Sequence, residues 1–109
     1  MAYGINESER NVKNMFAYIQ IIDNKSAVSY GYTSFSFSNC HLSIAKLEGM
    51  INSTMIEIPI SQIADPKRDT YYRWNRIQFN YNNKHYIFLY TTTRESEYFQ
   101  KNLPNLTVA

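Results

Sequence analysis

Residues 76–90 read RIQFNYNNKHYIFLY and carry the strongest structural signal in the chain. Apolar and polar side chains alternate over residues 76–81, as they do in a β-strand that buries one face. Asn82-Asn83 predicts a compact turn, because Asn tolerates positive φ angles. A hairpin about this turn places Phe79 opposite Tyr86, so that the apolar residues of both strands share one face. The stretch therefore predicts an antiparallel hairpin in a mainly β fold.

The segment after this hairpin predicts a C-terminal helix. Thr92 and Glu95 have the spacing of a capping box, and Pro104 follows the helical pattern. The apolar side of the helix consists of Tyr98, Phe99 and Leu103. We expect this helix to plug one end of a small barrel. The sequence leaves open whether this helix covers Ile87 and Leu89, which point away from the apolar face of the hairpin. Without that cover, the two residues form an apolar patch that marks an oligomer or partner surface.

A second hairpin is predicted near the start of the chain. Residues 16–22 predict a strand, and the turn residues that follow favour a two-residue loop at Asn24-Lys25. In that register the apolar face of the first strand lies against Val28, Tyr30 and Tyr32. Beyond Tyr32 the apolar positions change parity, which predicts a β-bulge within residues 31–34.

The remaining elements have weaker patterns. Residues 42–47 and 55–60 predict a third and a fourth strand. Pro59 has no N–H, so the fourth strand is expected at a sheet edge or at a bulge. At the N-terminus the spacing of apolar residues favours a short helix at residues 7–14, although the pattern leaves open whether residues 7–19 are helix or strand.

Composition bounds the class of protein. The 109 residues suffice for one hydrophobic core, so we expect a single domain over residues 1–109. Aromatic residues reach 16%, with ten Tyr and six Phe, and these residues favour half-buried pleated surfaces. The net charge of +2 is too small to demand a nucleic-acid or membrane partner. No apolar run has the length of a transmembrane segment, and the lone Cys40 excludes an intrachain disulfide. A cytoplasmic, bacterial protein is the expectation.

The predicted order of elements resembles that of GRAM and bacterial pleckstrin-homology-like domains. Residues 56–63, IEIPISQI, are similar to the I-P-L-x-x-I strand of those domains. Residues 76–90 look like their penultimate hairpin, and residues 95–103 look like their closing helix. The resemblance covers residues 42–103 and implies a binding or assembly module, since the family includes lipid-head-group binders, peptide binders and assembly modules. Fold membership alone does not choose among these functions.

The predicted fold is therefore mainly β: a barrel or a strongly bent antiparallel sheet, pleckstrin-homology-like, with a C-terminal capping helix. The alternative is an α+β open antiparallel sheet with one or two helices.

Residues 67–76, KRDTYYRWNR, combine four cations with three large aromatic residues. All but Arg76 lie in a predicted connection that spans residues 65–75. Arg and Lys bind phosphate groups, and Tyr and Trp stack on bases or lie at lipid interfaces. The candidate ligand- or partner-binding residues are Lys67, Arg68, Tyr71, Tyr72, Arg73, Trp74 and Arg76. The alternative interpretation is that the aromatic residues cover one end of a barrel while the cations lie in solvent.

Catalytic chemistry has less support in the sequence. A small cysteine hydrolase that uses Cys40 with His41 or His85 is one hypothesis, because a thiolate nucleophile needs a nearby base. Neighbouring residues of a strand point to opposite faces, so a buried, inert Cys40 beside an exposed His41 is the preferred interpretation. No ligand spacing predicts a metal site, and no motif predicts a cofactor.

Three functional hypotheses follow, in this order. The first is a non-catalytic module that binds a protein partner or self-associates. The second is a binder of anionic lipid or nucleic acid through residues 67–76. The third is the cysteine enzyme.

Overall fold

The structure is a computed structural model that describes residues 15–46 and 55–108. The strands are β1 (Met15–Ile22), β2 (Val28–Ser38), β3 (His41–Lys46), β4 (Ile56–Pro59), β5 (Ala64–Tyr71), β6 (Trp74–Tyr81), β7 (Lys84–Tyr90) and β8 (Thr107–Val108). Within the described residues, one α-helix, α1 (Thr93–Asn102), lies between β7 and β8. A 3-10 turn (Ile60–Gln62) follows β4. The helix predicted at residues 7–14 lies outside the described residues.

The eight strands in the described ranges form one sheet in the order β4-β3-β2-β1-β7-β6-β5-β8. Neighbouring strands are antiparallel, except that β5 and β8 are parallel. The sheet curls into a half-barrel, which confirms the prediction of a mainly β fold with a C-terminal helix.

The hydrophobic core lies between the inner face of this sheet and α1. Phe99 of α1 is fully buried, and its ring centroid lies 4.8 Å from that of Phe35 and 5.2 Å from that of Phe88. The hydroxyl of Ser96 donates a hydrogen bond to the hydroxyl of Tyr90 at 3.0 Å. Apolar contact and a buried hydrogen bond therefore both hold the helix on the inner face.

The register predicted for the first hairpin is wrong by one residue. Ile22 pairs with Val28 rather than with Ala27, so the loop contains residues 23–27 instead of a two-residue turn. The Asp23 carboxylate explains the longer loop, because its Oδ1 accepts the backbone N–H groups of Lys25 and Ala27, both at 2.9 Å. Such side-chain bonds to the following backbone stabilise a turn in their own geometry.

The shift changes which face of β2 is buried, because side chains alternate along a strand. Thr33 and the two phenylalanines that follow it in alternation point inward. Tyr30 and Tyr32, which were expected to face the core, point outward. Pairing between β1 and β2 is continuous, so the bulge predicted within residues 31–34 is also wrong.

Residues 65–75, predicted as a connection, instead belong to a β5–β6 hairpin with a two-residue turn at Tyr72-Arg73. β5 escaped recognition because Pro66 is its one buried residue, so the strand has no apolar alternation. A cross-strand pair of Asp69 and Arg76 joins it to β6.

The β6–β7 hairpin is confirmed. Phe79 pairs with Tyr86, as the turn position predicted. Asn82 and Asn83 have φ angles of 55° and 64°, the positive values that a type I′ turn requires. β4 lies at one edge of the sheet, which confirms the position inferred from Pro59.

The helix start is confirmed at Thr92, but the capping box is not formed. The hydroxyl of Thr92 donates to the carboxylate of Glu95, and no side-chain hydrogen bond reaches the backbone from this N-cap.

Candidate functional site

The outer face of the sheet differs from an ordinary solvated sheet surface. An antiparallel sheet with one buried face normally presents polar residues on the other. Here, none of the outward-facing residues of β1, β2 and β7 is an Asp, Glu, Lys or Arg. The three central strands therefore offer an uncharged surface.

Four aromatic rings on this face contact one another, and we call Phe16, Tyr18, Tyr32 and Trp74 the outer aromatic cluster. Tyr18 is at its centre, with its ring centroid 5.2 Å from that of Tyr32 and 6.1 Å from that of Trp74. Phe16 stacks on Tyr32 at 6.0 Å. Phe16, Tyr18 and Trp74 are nevertheless 42%, 49% and 36% exposed. The rings are positioned by mutual contact and remain open to solvent.

Strand pairing explains why these rings meet. Tyr18 lies opposite Tyr32 on β2 and opposite Leu89 on β7. Side chains opposed in this way have Cβ atoms about 5 Å apart, close enough for aromatic contact. Tyr30 continues the surface along β2 and is 76% exposed. The site is therefore built on paired strands rather than on loops.

Ile87 and Leu89 form the apolar floor beside the outer aromatic cluster. Leu89 lines a groove with Trp74, and both aliphatic residues line a second groove next to Tyr71. Helix α1 packs on the opposite face against Phe88. The helix therefore does not cover Ile87 and Leu89, and both remain half-buried on the outer face.

The seven residues predicted as a site do not form one surface. Four of them face outward on β5 and β6: Lys67, Tyr71, Trp74 and Arg76. Arg68 pairs with the buried Ile77 and so shares the inner face, next to the edge strand β8. Tyr72 and Arg73 form the exposed turn between the strands. Of the seven, Trp74 alone belongs to the outer aromatic cluster.

Arg76 is already engaged by a carboxylate. Its Nε and Nη2 donate to Oδ1 and Oδ2 of Asp69, both at 2.8 Å. Its guanidinium carbon lies 5.2 Å from the centre of the Tyr71 ring. The hydrogen bond from Arg76, aided by its charge, lowers the pKa of Asp69, so the pair is ionised at neutral pH. An incoming phosphate would have to displace this carboxylate from the guanidinium.

His85 lies at the polar end of the outer face, and both of its ring nitrogens have partners. Nε2 lies 2.9 Å from Gln78 Oε1, and Nδ1 lies 2.8 Å from Asn80 Oδ1. The side-chain nitrogen of Gln78 in turn donates to Asp69 at 3.4 Å. The amide oxygen of Gln78 therefore faces the imidazole, and Nε2 of His85 is the donor in that bond. The ring is held as part of a hydrogen-bonded ladder across β5, β6 and β7.

The residues proposed for a cysteine enzyme are not brought together in one site. Cys40 lies in the turn between β2 and β3 and is exposed, so the expectation that it is buried is wrong. His85 pairs with Ile22, which lies opposite Val28 at the start of β2, whereas Cys40 follows the end of β2 at Ser38. The two residues are therefore at opposite ends of β2, which at about 3.3 Å per residue is roughly 33 Å long. The ring of His41 is held instead by the carbonyl of Asn39, at 2.8 Å from Nδ1.

Sequence reasoning missed most of the outer aromatic cluster because it assigned Tyr32 to the core. The sequence of β2 nevertheless contains a pattern that identifies this cluster. Phe35 and Phe37 share their parity with Thr33, and counting back from them places Tyr30 and Tyr32 on the opposite face.

Metal-ligating side chains do not cluster in the described ranges. No group of three or more His, Cys, Asp or Glu side chains comes together there in a way that could hold a metal ion. No helix among residues 15–46 and 55–108 has the length and apolar character needed to cross a membrane. Comparisons with protein-family models, with curated proteins and with solved structures found no match.

Proposed function

We propose that this chain is a non-catalytic binding and assembly module with a pleckstrin-homology-like fold, and that it binds another protein surface through the outer aromatic cluster. The observation that carries the proposal is the exposure of a contacting aromatic cluster on an uncharged sheet face. The only helix in the described residues lies on the other face and leaves the cluster open.

Residue type and position both support a protein partner. The centres of protein interfaces are depleted in charged residues and enriched in Tyr, Trp and Phe. Tyr and Trp combine an apolar ring with a polar group, so they tolerate water before binding and lose little entropy on binding. Because the rings stand on paired strands and contact one another, the surface is arranged before a partner arrives.

Site-specific photo-crosslinking in the cells that normally produce the chain tests this proposal. The probe p-benzoylphenylalanine replaces Tyr32 in one variant and Gln100, an exposed residue of α1, in a control. We expect an adduct from position 32 and none from position 100. The captured protein is then purified and its affinity is measured for the wild-type chain and for the Tyr18→Arg variant. We expect the variant to bind it at least about tenfold more weakly, a difference of roughly 1.4 kcal/mol. No adduct from position 32, or equal adducts from both positions, would refute the proposal.

A second candidate function is the binding of an anionic lipid or nucleic acid by residues 67–76. The observation in its favour is that Tyr71, Tyr72 and Arg73 are exposed together at the turn end of the β5–β6 hairpin, with Lys67 exposed farther along β5. It ranks second because Arg68 shares the inner face and Arg76 is engaged by Asp69. An amide NMR titration with anionic vesicles and with short oligonucleotides tests it: salt-sensitive shifts at residues 67–76 that are lost with Arg73→Glu support it, and unchanged spectra exclude it.

A further inference from the structure

We infer that the partner of the outer aromatic cluster is a second copy of this chain, held face to face about a two-fold axis. This inference rests on the proposed function and adds the identity of the partner. Its basis is the charge distribution and the area of the outer face.

Charge is the first argument. In a two-fold interface the same patch occurs on both copies, so a charged residue near the axis meets its own like charge. The outward positions of β1, β2 and β7 carry no Asp, Glu, Lys or Arg, so two copies of these strands face each other without repulsion. At the border, the charge of Arg76 is balanced within its own chain by Asp69. A surface of this kind is compatible with itself, and it offers no charge by which a strongly charged partner would be selected.

Area is the second argument. Tyr30 and Val28 extend the outer aromatic cluster and are 76% and 51% exposed. A fully exposed aromatic side chain presents about 200 Å². On that scale the exposed parts of five side chains offer roughly 500 Å² per copy: Phe16, Tyr18, Val28, Tyr30 and Trp74. Two copies bury about 1,000 Å² of aromatic and aliphatic surface before their polar border is counted, which reaches the lower limit for a specific interface.

Sheet geometry is compatible with this arrangement. Because the sheet curls around the core into a half-barrel, its outer face is convex, so two copies meet along the central strands that carry the outer aromatic cluster rather than over whole sheets. One groove lies beside Tyr18, Trp74 and Leu89, and a second lies beside Tyr71, Ile87 and Leu89. In the dimer, projecting rings of one copy enter these grooves of the other. Each sheet then has α1 on its inner face and the second copy on its outer face.

Sedimentation equilibrium between about 1 μM and 1 mM tests the inference, a range that covers weak and strong dimers. We expect a reversible monomer–dimer equilibrium for the wild-type chain. Tyr18→Arg places a cation at the centre of the face, and we expect it to weaken the dimer at least about 100-fold, or roughly 2.7 kcal/mol. Gln100→Arg adds the same charge on α1 and is expected to leave the equilibrium unchanged. Tyr30→Arg is the second variant at the interface, chosen because a side chain that is 76% exposed is not needed for folding.

Three outcomes overturn the inference: a wild-type chain that stays monomeric at 1 mM, dimers that persist in both Tyr18→Arg and Tyr30→Arg, or open-ended association. A monomer whose position 32 still crosslinks to a different protein refutes the second copy and leaves the proposed function standing. A monomer with no adduct from position 32 removes both.

Discussion

Replacing Phe99 by Ala should destabilise the chain far more than replacing an outer aromatic residue. Phe99 is fully buried, and its ring contacts Phe35 and Phe88 at centroid distances of 4.8 and 5.2 Å. Truncation of such a ring removes its burial and leaves a cavity, which costs about 3–5 kcal/mol. A typical domain has a free energy of unfolding of about 5–15 kcal/mol, so the variant loses a large share of its stability.

Urea unfolding followed by far-ultraviolet circular dichroism measures this loss. The matched control is Tyr30→Ala, which truncates an aromatic ring that is 76% exposed and should change the free energy of unfolding by less than about 0.5 kcal/mol. Measurements at about 1 μM keep association from contributing to stability. Equal losses in the two variants would refute the division into a structural inner face and a free outer face.

Three further predictions concern charge, burial and backbone geometry. Because Arg76 holds the pKa of Asp69 below its ordinary value, their pair contributes stability above about pH 4 that is lost as pH falls through the folded-state pKa. Asp69→Asn should therefore lower the free energy of unfolding by about 1 kcal/mol or less at pH 7. It should also reduce the fall in that free energy, measured with urea, as the solution is made acidic; an unchanged fall would contradict this. Burial raises the pKa of Tyr90, so its contribution is present below about pH 10 and is lost as pH rises from there towards the folded-state pKa. An ultraviolet absorbance titration should show a late ionisation step that is smaller in Tyr90→Phe, and a late step of unchanged size would count against that burial. Asn83 has a φ of 64°, so Asn83→Gly should relieve up to about 1 kcal/mol of backbone strain and raise the melting temperature. The control Asn80→Gly, within β6, should lower the melting temperature. A lower melting temperature for Asn83→Gly would contradict the turn assignment.

The parts of the fold predicted correctly are those in which local signals agree. In residues 76–90 the alternation and the Asn82-Asn83 turn specify the same register, and the structure has that register. The helix after Thr92 likewise has a start signal, an apolar side and a following proline. In both places neighbouring residues alone are sufficient to define the element.

The parts that could not be predicted depend on less local interactions. The first loop is longer because the Asp23 side chain bonds two backbone N–H groups, which sequence spacing does not reveal. That single residue of difference exchanged the two faces in the first part of β2, so Tyr30 and Tyr32 were taken for core. The candidate site was placed in residues 67–76 because cations and aromatic residues occur together there. β5 was missed because its position near the sheet edge buries little more than Pro66. The predicted site therefore shares only Trp74 with the outer aromatic cluster.

The fluorescence of Trp74 provides the most direct test of self-association through the outer face. This residue is the one tryptophan in the chain, it is 36% exposed, and it contacts Tyr18 at the centre of the outer aromatic cluster. Acrylamide quenching is measured as the protein concentration rises from about 1 μM to 1 mM. We predict that quenching falls and that the emission moves to shorter wavelength in the wild-type chain, while Tyr30→Arg shows neither change. Quenching that is independent of concentration, whether Trp74 is open or shielded at every concentration, would contradict the reversible association of two copies through this face.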